Sequence, residues 1–189
     1  MSTSKKDDIR KELKKKREGL PYDEVIKKSR IIKERLYSLD DYKESIIILF
    51  YVSYDNEVST HDMIKETLKK GKRVIVPFID EDRSMLLSEL RRWSELTLGA
   101  YNILQPKREY LRVVDPDEID LIIVPGIGFD MHGNRIGHGF GYYDDLLKKT
   151  KKAKKYGLAF ESQIIDLVPC EKHDVKVDRI ITEERVIEC

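Results

Sequence analysis

Apolar residues along this chain recur in two distinct periods, and each period marks a different kind of element. Val25, Ser29, Ile32, Leu36 and Leu39 are spaced by four and three residues. That spacing predicts a helix with one buried face, opened by Pro21 in its first turn. Residues 45–52 (SIIILFYV), 73–79 (RVIVPFI) and 121–124 (LIIV) are instead unbroken β-branched or aromatic runs. Runs of this kind belong to strands covered on both faces, as in a parallel sheet. Pro77 implies that the second run stops pairing near its end.

Weaker signals complete the pattern. A first helix is expected from a Ser4 cap, through Ile9, Leu13 and Arg17, to a stop at Gly19. Its apolar stripe is thin. A helix capped by Thr60 should run to Lys70 and end at Gly71, and a lysine-studded helix should run from about Tyr142 to Lys152. Shorter strands are predicted at 84–90, 156–160 and, as the last one, 179–182. Residues 99–116, with two prolines, read as an irregular connector, and Trp93 as a core anchor. Strands alternating with helices, with no internal repeat, predict a single α/β domain with a mostly parallel sheet and helices on both faces. In such sheets ligands bind at the carboxyl edge. The site should therefore lie where the loops after Val52, Pro77 and Val124 converge.

Composition narrows the classes. The chain has 189 residues, with 36 basic against 35 acidic side chains. That balance argues against a general nucleic-acid binder, and lysine clusters such as 148–155 read as solvated faces. The two cysteines, Cys170 and Cys189, form no CxxC or metal spacing, so a reducing cytoplasm is expected. A charged N-terminus excludes a secretory signal, and no apolar run reaches membrane-spanning length.

Candidate chemistry concentrates in LIIVPGIGFDMHGNRIGHGFGYYDDLL, residues 121–147. Six of the ten glycines lie here, at 126, 128, 133, 137, 139 and 141, around Arg135 and His138. A glycine-rich turn that follows a strand, carries a cation and leads into a helix N-terminus can cradle an anion. It can equally be turn punctuation. The spacing fits neither the dinucleotide fingerprint nor the lysine-terminated P-loop. Lys6, Arg10, Lys14 and Arg17 form a cationic helix face that is either wet or meets a phosphate, the wet face being favoured. Glu57, in the polar loop after Val52, is a candidate ligand contact. Asp144 can be read as a helix cap and Asp174 as a turn residue.

At this point the sequence resembles the 5-formyltetrahydrofolate cyclo-ligase family. VPGIGFDMHGNRIGHGFGYYDDLL carries PG-x-GFD, G-x-R-x-G and G-x-G-YYD in family order. KDDIR at Lys6–Arg10, the Glu57-Val58-Ser59-Thr60 loop, Ile103-Leu104-Gln105-Pro106 and His173-Asp174 also fall in register. The resemblance implies a Rossmann-like single domain of the NagB/RpiA/CoA-transferase type. It also implies conversion of 5-formyltetrahydrofolate to 5,10-methenyltetrahydrofolate with ATP and Mg²⁺. The formyl oxygen is phosphorylated, N10 attacks, and phosphate leaves. By position, the resemblance assigns ATP contacts to Lys6, Asp7, Asp8, Ile9 and Arg10, and to Arg135, Ile136, Gly137, His138, Gly139, Phe140, Gly141, Tyr142 and Tyr143. It assigns folate contacts to Val52, Glu57 and His138 through Tyr142, catalysis to Arg135 and Tyr143, and metal ligation to Asp144 and Asp174. His138 stands where many relatives carry Arg or Tyr, and Phe140 where Lys or Gly is frequent. The implied partners are the two small molecules, with no nucleic acid or membrane, acting on a monomer. Two other readings compete: a folate- or nucleotide-binding regulator without turnover, and a related enzyme acting on a sugar phosphate or a modified pterin.

Overall fold

The computed structural model describes residues 2–99, 102–170 and 174–189. The chain opens with helices α1 (Ser2–Glu18), α2 (Tyr22–Ser38) and α3 (Asp40–Glu44), then β1 (Ile47–Leu49) and α4 (His61–Lys69). Strands β2 (Arg73–Ile79), β3 (Met85–Leu90), β4 (Leu96–Leu98), β5 (Leu104–Pro106), β6 (Leu121–Val124), β7 (Gly128–Asp130) and β8 (Arg135–Ile136) follow. After α5 (Tyr142–Lys149) come β9 (Lys154–Leu158), β10 (Ile164–Ile165), β11 (Arg179–Ile181) and β12 (Val186–Glu188).

Seven strands form the main sheet in the order β12-β11-β9-β6-β1-β2-β3. The five inner strands run parallel, while β3 and β12 pair antiparallel at the edges. Successive residues of β6 show why its sequence has no polar alternation. Leu121 and Ile123 face one core, with Val25, Ile32, Leu36, Met63 and Ile64 from α2 and α4; Ile122 and Val124 face the other, with Leu146 and Leu147 from α5. The expected α/β sheet with helices on both faces is thus present. The four spaced residues Val25, Ser29, Ile32 and Leu36 are all buried, as their period requires.

Chain order makes β1 the turning point of the sheet. The chain steps from β1 to β2 on one side and later returns to β6 on the other, so the loops leaving β1 and β6 part across a crevice. This is the topological switch point at which open α/β sheets hold ligands.

Several expectations give way. The first helix begins at Ser2, two residues before its expected Ser4 cap, and the side chain of Ser4 lies outside the described residues. The ladder of β1 covers only Ile47–Leu49 of the run 45–52; Phe50 N–H still donates to the Ile75 carbonyl at 2.9 Å, and buried Tyr51 and Val52 then line the crevice. Thr60 takes the N-cap position of α4, and its carbonyl accepts from Ile64 N–H at 2.8 Å, but its side chain makes no capping bond. Its hydroxyl donates to the Tyr51 carbonyl at 2.7 Å and accepts from Ser53 N–H at 3.1 Å, closing the 51–60 loop on itself. Residues 99–116 contain β5, which pairs with β4, and β12 follows the strand expected to be last. The lysine-studded helix stops at Lys149. Trp93 is half-buried against the α2/α4 core, as expected of an anchor.

The glycine-rich stretch is not a single loop. It folds back as the hairpin β7–β8, whose turn is built on Asp130. That buried carboxylate accepts from the N–H groups of His132, Asn134 and Val168 and from the Asn134 amide. Burial alone would raise its pKa, but these donors outweigh it and hold the group below the usual carboxylate range. Helix α1 docks on this hairpin through Leu13, which clusters with Ile127, Ile136 and Val168. The thin stripe therefore reaches a small satellite core, not the main one. Gly128 is required at that contact: a Cβ there would stand 2.3 Å from Leu13 Cδ1 and 3.3 Å from the Gln163 carbonyl. Gly128→Ala is expected to destabilise the protein by about 1–3 kcal/mol, read as a lower urea midpoint at unchanged m-value. An unchanged midpoint would mean that α1 does not need this close approach.

Candidate active site

A cavity of about 400 Å³ occupies the switch-point crevice. Its floor is Tyr51 and Val52 after β1, with Pro125 and Ile127 after β6. Glu57 and Tyr54 come from the first loop, Arg10 and Lys14 from α1, and Arg135 and residues 137–144 from the hairpin and the start of α5. Ile79, Met85 and Ile103 add an apolar wall from the sheet edge.

One end of the cavity is cationic. Arg10 Nε donates to the Gly137 carbonyl at 2.9 Å, tying α1 to the glycine segment, and its Nη1 also meets Asp7. Arg135 Nη1 donates to the Pro125 carbonyl at 3.1 Å, and Nη2 pairs with Asp144 at 2.5 Å. The Arg135 side chain is 6% exposed, so its charge acts in a poorly solvated setting. Gly141 precedes α5 with a φ of 79°, a conformation suited to glycine, and aims the first turn of that helix at the cavity. Buried Gln163 fixes the neighbouring backbone by donating to the carbonyls of Gly126 and Ile127.

The other end is organised by Glu57, which is 5% exposed. Its Oε1 stands 3.2 Å from His138 Nε2 and 3.8 Å from Arg17 Nη1; its Oε2 accepts from Tyr54 N–H at 3.3 Å. Tyr54 Oη reaches His138 Nδ1 at 3.3 Å. Burial, then the Glu57 charge, push the Tyr54 hydroxyl up to about 12, against a smaller opposing effect of Arg17. Tyr143 lies between the two ends. Its hydroxyl is buried and makes no hydrogen bond. Burial, reinforced by Glu57 and opposed by Arg135, raises its pKa well above that of a free tyrosine. Tyr143 therefore keeps its proton and can offer it as a hydrogen-bond donor.

The fold unites Val52, Glu57, Arg10, Arg135 and Gly137 through Asp144 around one cavity. Lys6, Asp7, Asp8, Ile9, Ile136 and Asp174 do not line it. Ile9 and Ile136 pack with the satellite core, Asp8 is exposed, and Lys6 pairs with Asp174 at 3.2 Å. His173, paired with Asp174 in the sequence motif, lies outside the described residues. The expected wet face of α1 divides: the Lys14 side chain is 53% exposed, but Arg17 is 2% exposed. Tyr54 and Gln163 carried no sequence signal of their own, and Arg17 only that of a cationic helix face, because each is recruited by a partner 36 or more positions away in chain order. Among the described residues, no helix is long and apolar enough to cross a membrane.

An open α/β sheet with a cationic pocket facing a buried carboxylate across its switch point defines a class: a small-molecule enzyme that holds an anionic ligand beside a polar one. A model of the 5-formyltetrahydrofolate cyclo-ligase family matches residues 2–183. The chain belongs to the 5-formyltetrahydrofolate cyclo-ligase family. The 5-formyltetrahydrofolate cyclo-ligase of Mus musculus is 33% identical over 96% of this chain and 95% of its own. A solved structure of Aquifex aeolicus 5,10-methenyltetrahydrofolate synthetase superposes with a TM-score of 0.87 at 33% identity, covering 97% of this chain and 92% of that one. The corresponding synthetase from Mycoplasma pneumoniae gives a TM-score of 0.76 at 26% identity, covering 94% and 98%.

Proposed function

We propose that this chain closes 5-formyltetrahydrofolate to 5,10-methenyltetrahydrofolate at the expense of ATP, with both ligands in the switch-point cavity. The observation that carries this reading is the polarity of that cavity: Arg10 and Arg135 at one end, ionisable Glu57 at the other, and the unbonded Tyr143 hydroxyl between. The two ends match a triphosphate and a pterin, whose paired N–H donors suit a carboxylate acceptor. Transfer of the terminal phosphoryl group to the formyl oxygen converts a poor leaving oxygen into phosphate. N10 then attacks the formyl carbon, the C–O bond breaks, and ADP, phosphate and the methenyl ring result. No protein nucleophile is needed, so the protein's contribution is positioning and charge.

Within this reading Arg135 meets the charge on the transferring group, and Tyr143 donates its free O–H to a ligand oxygen. Arg10 and the N-terminus of α5 attract the phosphates, with Lys6 one turn before Arg10 on α1. The 137–141 segment is shared between the ligands. Its departures fit that role: His138 serves Glu57, and Phe140 offers an apolar rim where a lysine would add charge.

Asp144, on the cavity lining, suits a Mg²⁺ bound mainly through phosphate oxygens and water, a mode that needs only one or two protein carboxylates; Asp174, the second ligand the resemblance implies, stands outside that lining. Among the described residues no group of three or more acidic, histidine or cysteine side chains stands close enough to form a protein cage. Each aspartate is already aligned by a cation, Asp144 by Arg135 and Asp174 by Lys6. The ion's chemistry there would be neutralisation of phosphate charge. Asp144→Asn is expected to raise the KM for Mg-ATP by about tenfold with the folate KM unchanged, measured by initial rates. An unaltered KM and kcat for the nucleotide would remove Asp144 from this role.

The activity is tested by the absorbance of the methenyl product from 5-formyltetrahydrofolate, ATP and Mg²⁺. Product formed equally well without ATP would sink the mechanism. Ligand binding with no product would favour a regulator.

A further inference from the structure

The mechanism above gives no task to the most deeply buried cation of α1. We infer that Arg17 is a positioning residue for the folate end: it supplies a counter-charge that keeps the Glu57 carboxylate aimed into the cavity, without consuming the oxygens a ligand needs. This rests on the reading of Glu57 as a folate contact.

The geometry favours that task over a merely structural ion pair. Structural arginines grip a carboxylate bidentately, at hydrogen-bond distance. Arg17 stands 3.8 Å from Glu57 Oε1, within range for charge attraction but too far for a hydrogen bond. Its Nε and Nη1 are buried and make no hydrogen bond. A buried guanidinium left in this state is costly unless the site requires it. Glu57 in turn accepts only long bonds, 3.2 Å from His138 Nε2 and 3.3 Å from Tyr54 N–H, so each carboxylate oxygen keeps a free lone pair. A carboxylate neutralised from behind and underused in front is arranged to accept paired N–H donors.

The backbone fixes this arrangement independently. Asn56, the residue before Glu57, donates its amide to the carbonyls of Arg17, Glu18 and Leu20, capping the C-terminus of α1. The loop bearing Glu57 and the helix bearing Arg17 are thus held in register. Helix α1 then contacts both ends of the cavity, with Arg10 at the phosphate end and Arg17 behind the folate end. The other titratable groups facing Glu57 are His138 from the glycine segment, Tyr54 and Tyr51 from the β1 loop, and Tyr143 from α5. Only Arg17 among them carries a permanent positive charge.

A double-mutant cycle on the full-length enzyme tests the inference. Arg17→Met is expected to raise the 5-formyltetrahydrofolate KM by roughly 30-fold or more, leaving the ATP KM within about threefold. Arg17→Lys, which keeps the charge, should recover most of that loss. In a Glu57→Gln background, Arg17→Met should change the folate KM by no more than about twofold, because the charge it serves is gone. Should Arg17→Met alone fold poorly, the comparison of the double variant with Glu57→Gln still reads whether Arg17 matters once its partner charge is gone, and Arg17→Lys reads the charge in the parent background. Equal increases in both KM values, or additive losses in the cycle, would overturn the inference while leaving Glu57 as a folate contact. A folate KM unaffected by Glu57→Gln would overturn both together.

Discussion

Arg135→Ala is expected to lower kcat by on the order of 10³-fold, with a far smaller effect on either KM. The reasoning starts from burial. At 6% exposure the guanidinium sits among Pro125, Asp144 and the ring of Tyr143, whose centroid lies 5.9 Å from its Cζ. A charge in such a setting interacts more strongly with a developing negative charge than one in water. It is also held in place before reaction, by the Pro125 carbonyl and by Asp144, so little reorganisation is needed. Loss of the side chain removes a contact that is stronger in the transition state than in the ground state, and kcat should carry most of the change. Arg135→Lys keeps the charge but not the two-pronged grip on Pro125 and Asp144, and should recover only part of the rate. Steady-state kinetics together with a urea titration separate catalysis from folding. A kcat within about threefold of the parent enzyme would take Arg135 out of the chemical step.

The second large effect is at the opposite end of the cavity. Glu57→Gln is expected to raise the folate KM by on the order of 10²-fold and leave the ATP KM little changed. The amide is nearly isosteric, so packing is preserved. However, it presents an NH₂ group to ligand donors and has no charge to offer them. The same change leaves Arg17 buried at 2% exposure without its counter-ion, so stability should fall as well. Stability and folate KM must therefore be measured on the same preparation. A folate KM that stays within about threefold, in a folded variant, would show that the carboxylate is not a ligand contact.

Effects at the two ends should be largely separable, because the residues sit on loops leaving different strands. Arg135 lies on the hairpin after β6, and Glu57 on the loop after β1. Tyr143 and the 137–141 segment are where the two ends meet, and substitutions there should disturb both KM values.

The sequence made parts of this arrangement legible and hid others for definite reasons. β2 and β6 occupy the residues predicted for them, because an inner parallel strand needs apolar side chains on both faces and tolerates no alternation. The face of α2 was equally plain, since its period depends only on the helix itself. The hairpin β7–β8 was hidden because its strands are two and three residues long and its turn is set by Asp130, not by a glycine pair. β4 and β5 were hidden because a short edge pair carries little periodicity.

For the site, Glu57 and the glycine segment followed from chain order alone, since a carboxyl-edge loop and a glycine-rich turn can be placed on a parallel sheet before any contact is known. Residue types and spacing also carried the family resemblance. The tertiary structure alone decided which charges are buried and with whom. Lys14 and Arg17 are three residues apart on the same helix, yet one is half in water and the other is sealed behind Glu57. A helical period records position on the element's own surface. It does not record which loop, 40 positions further along the chain, the sheet order will bring against that surface.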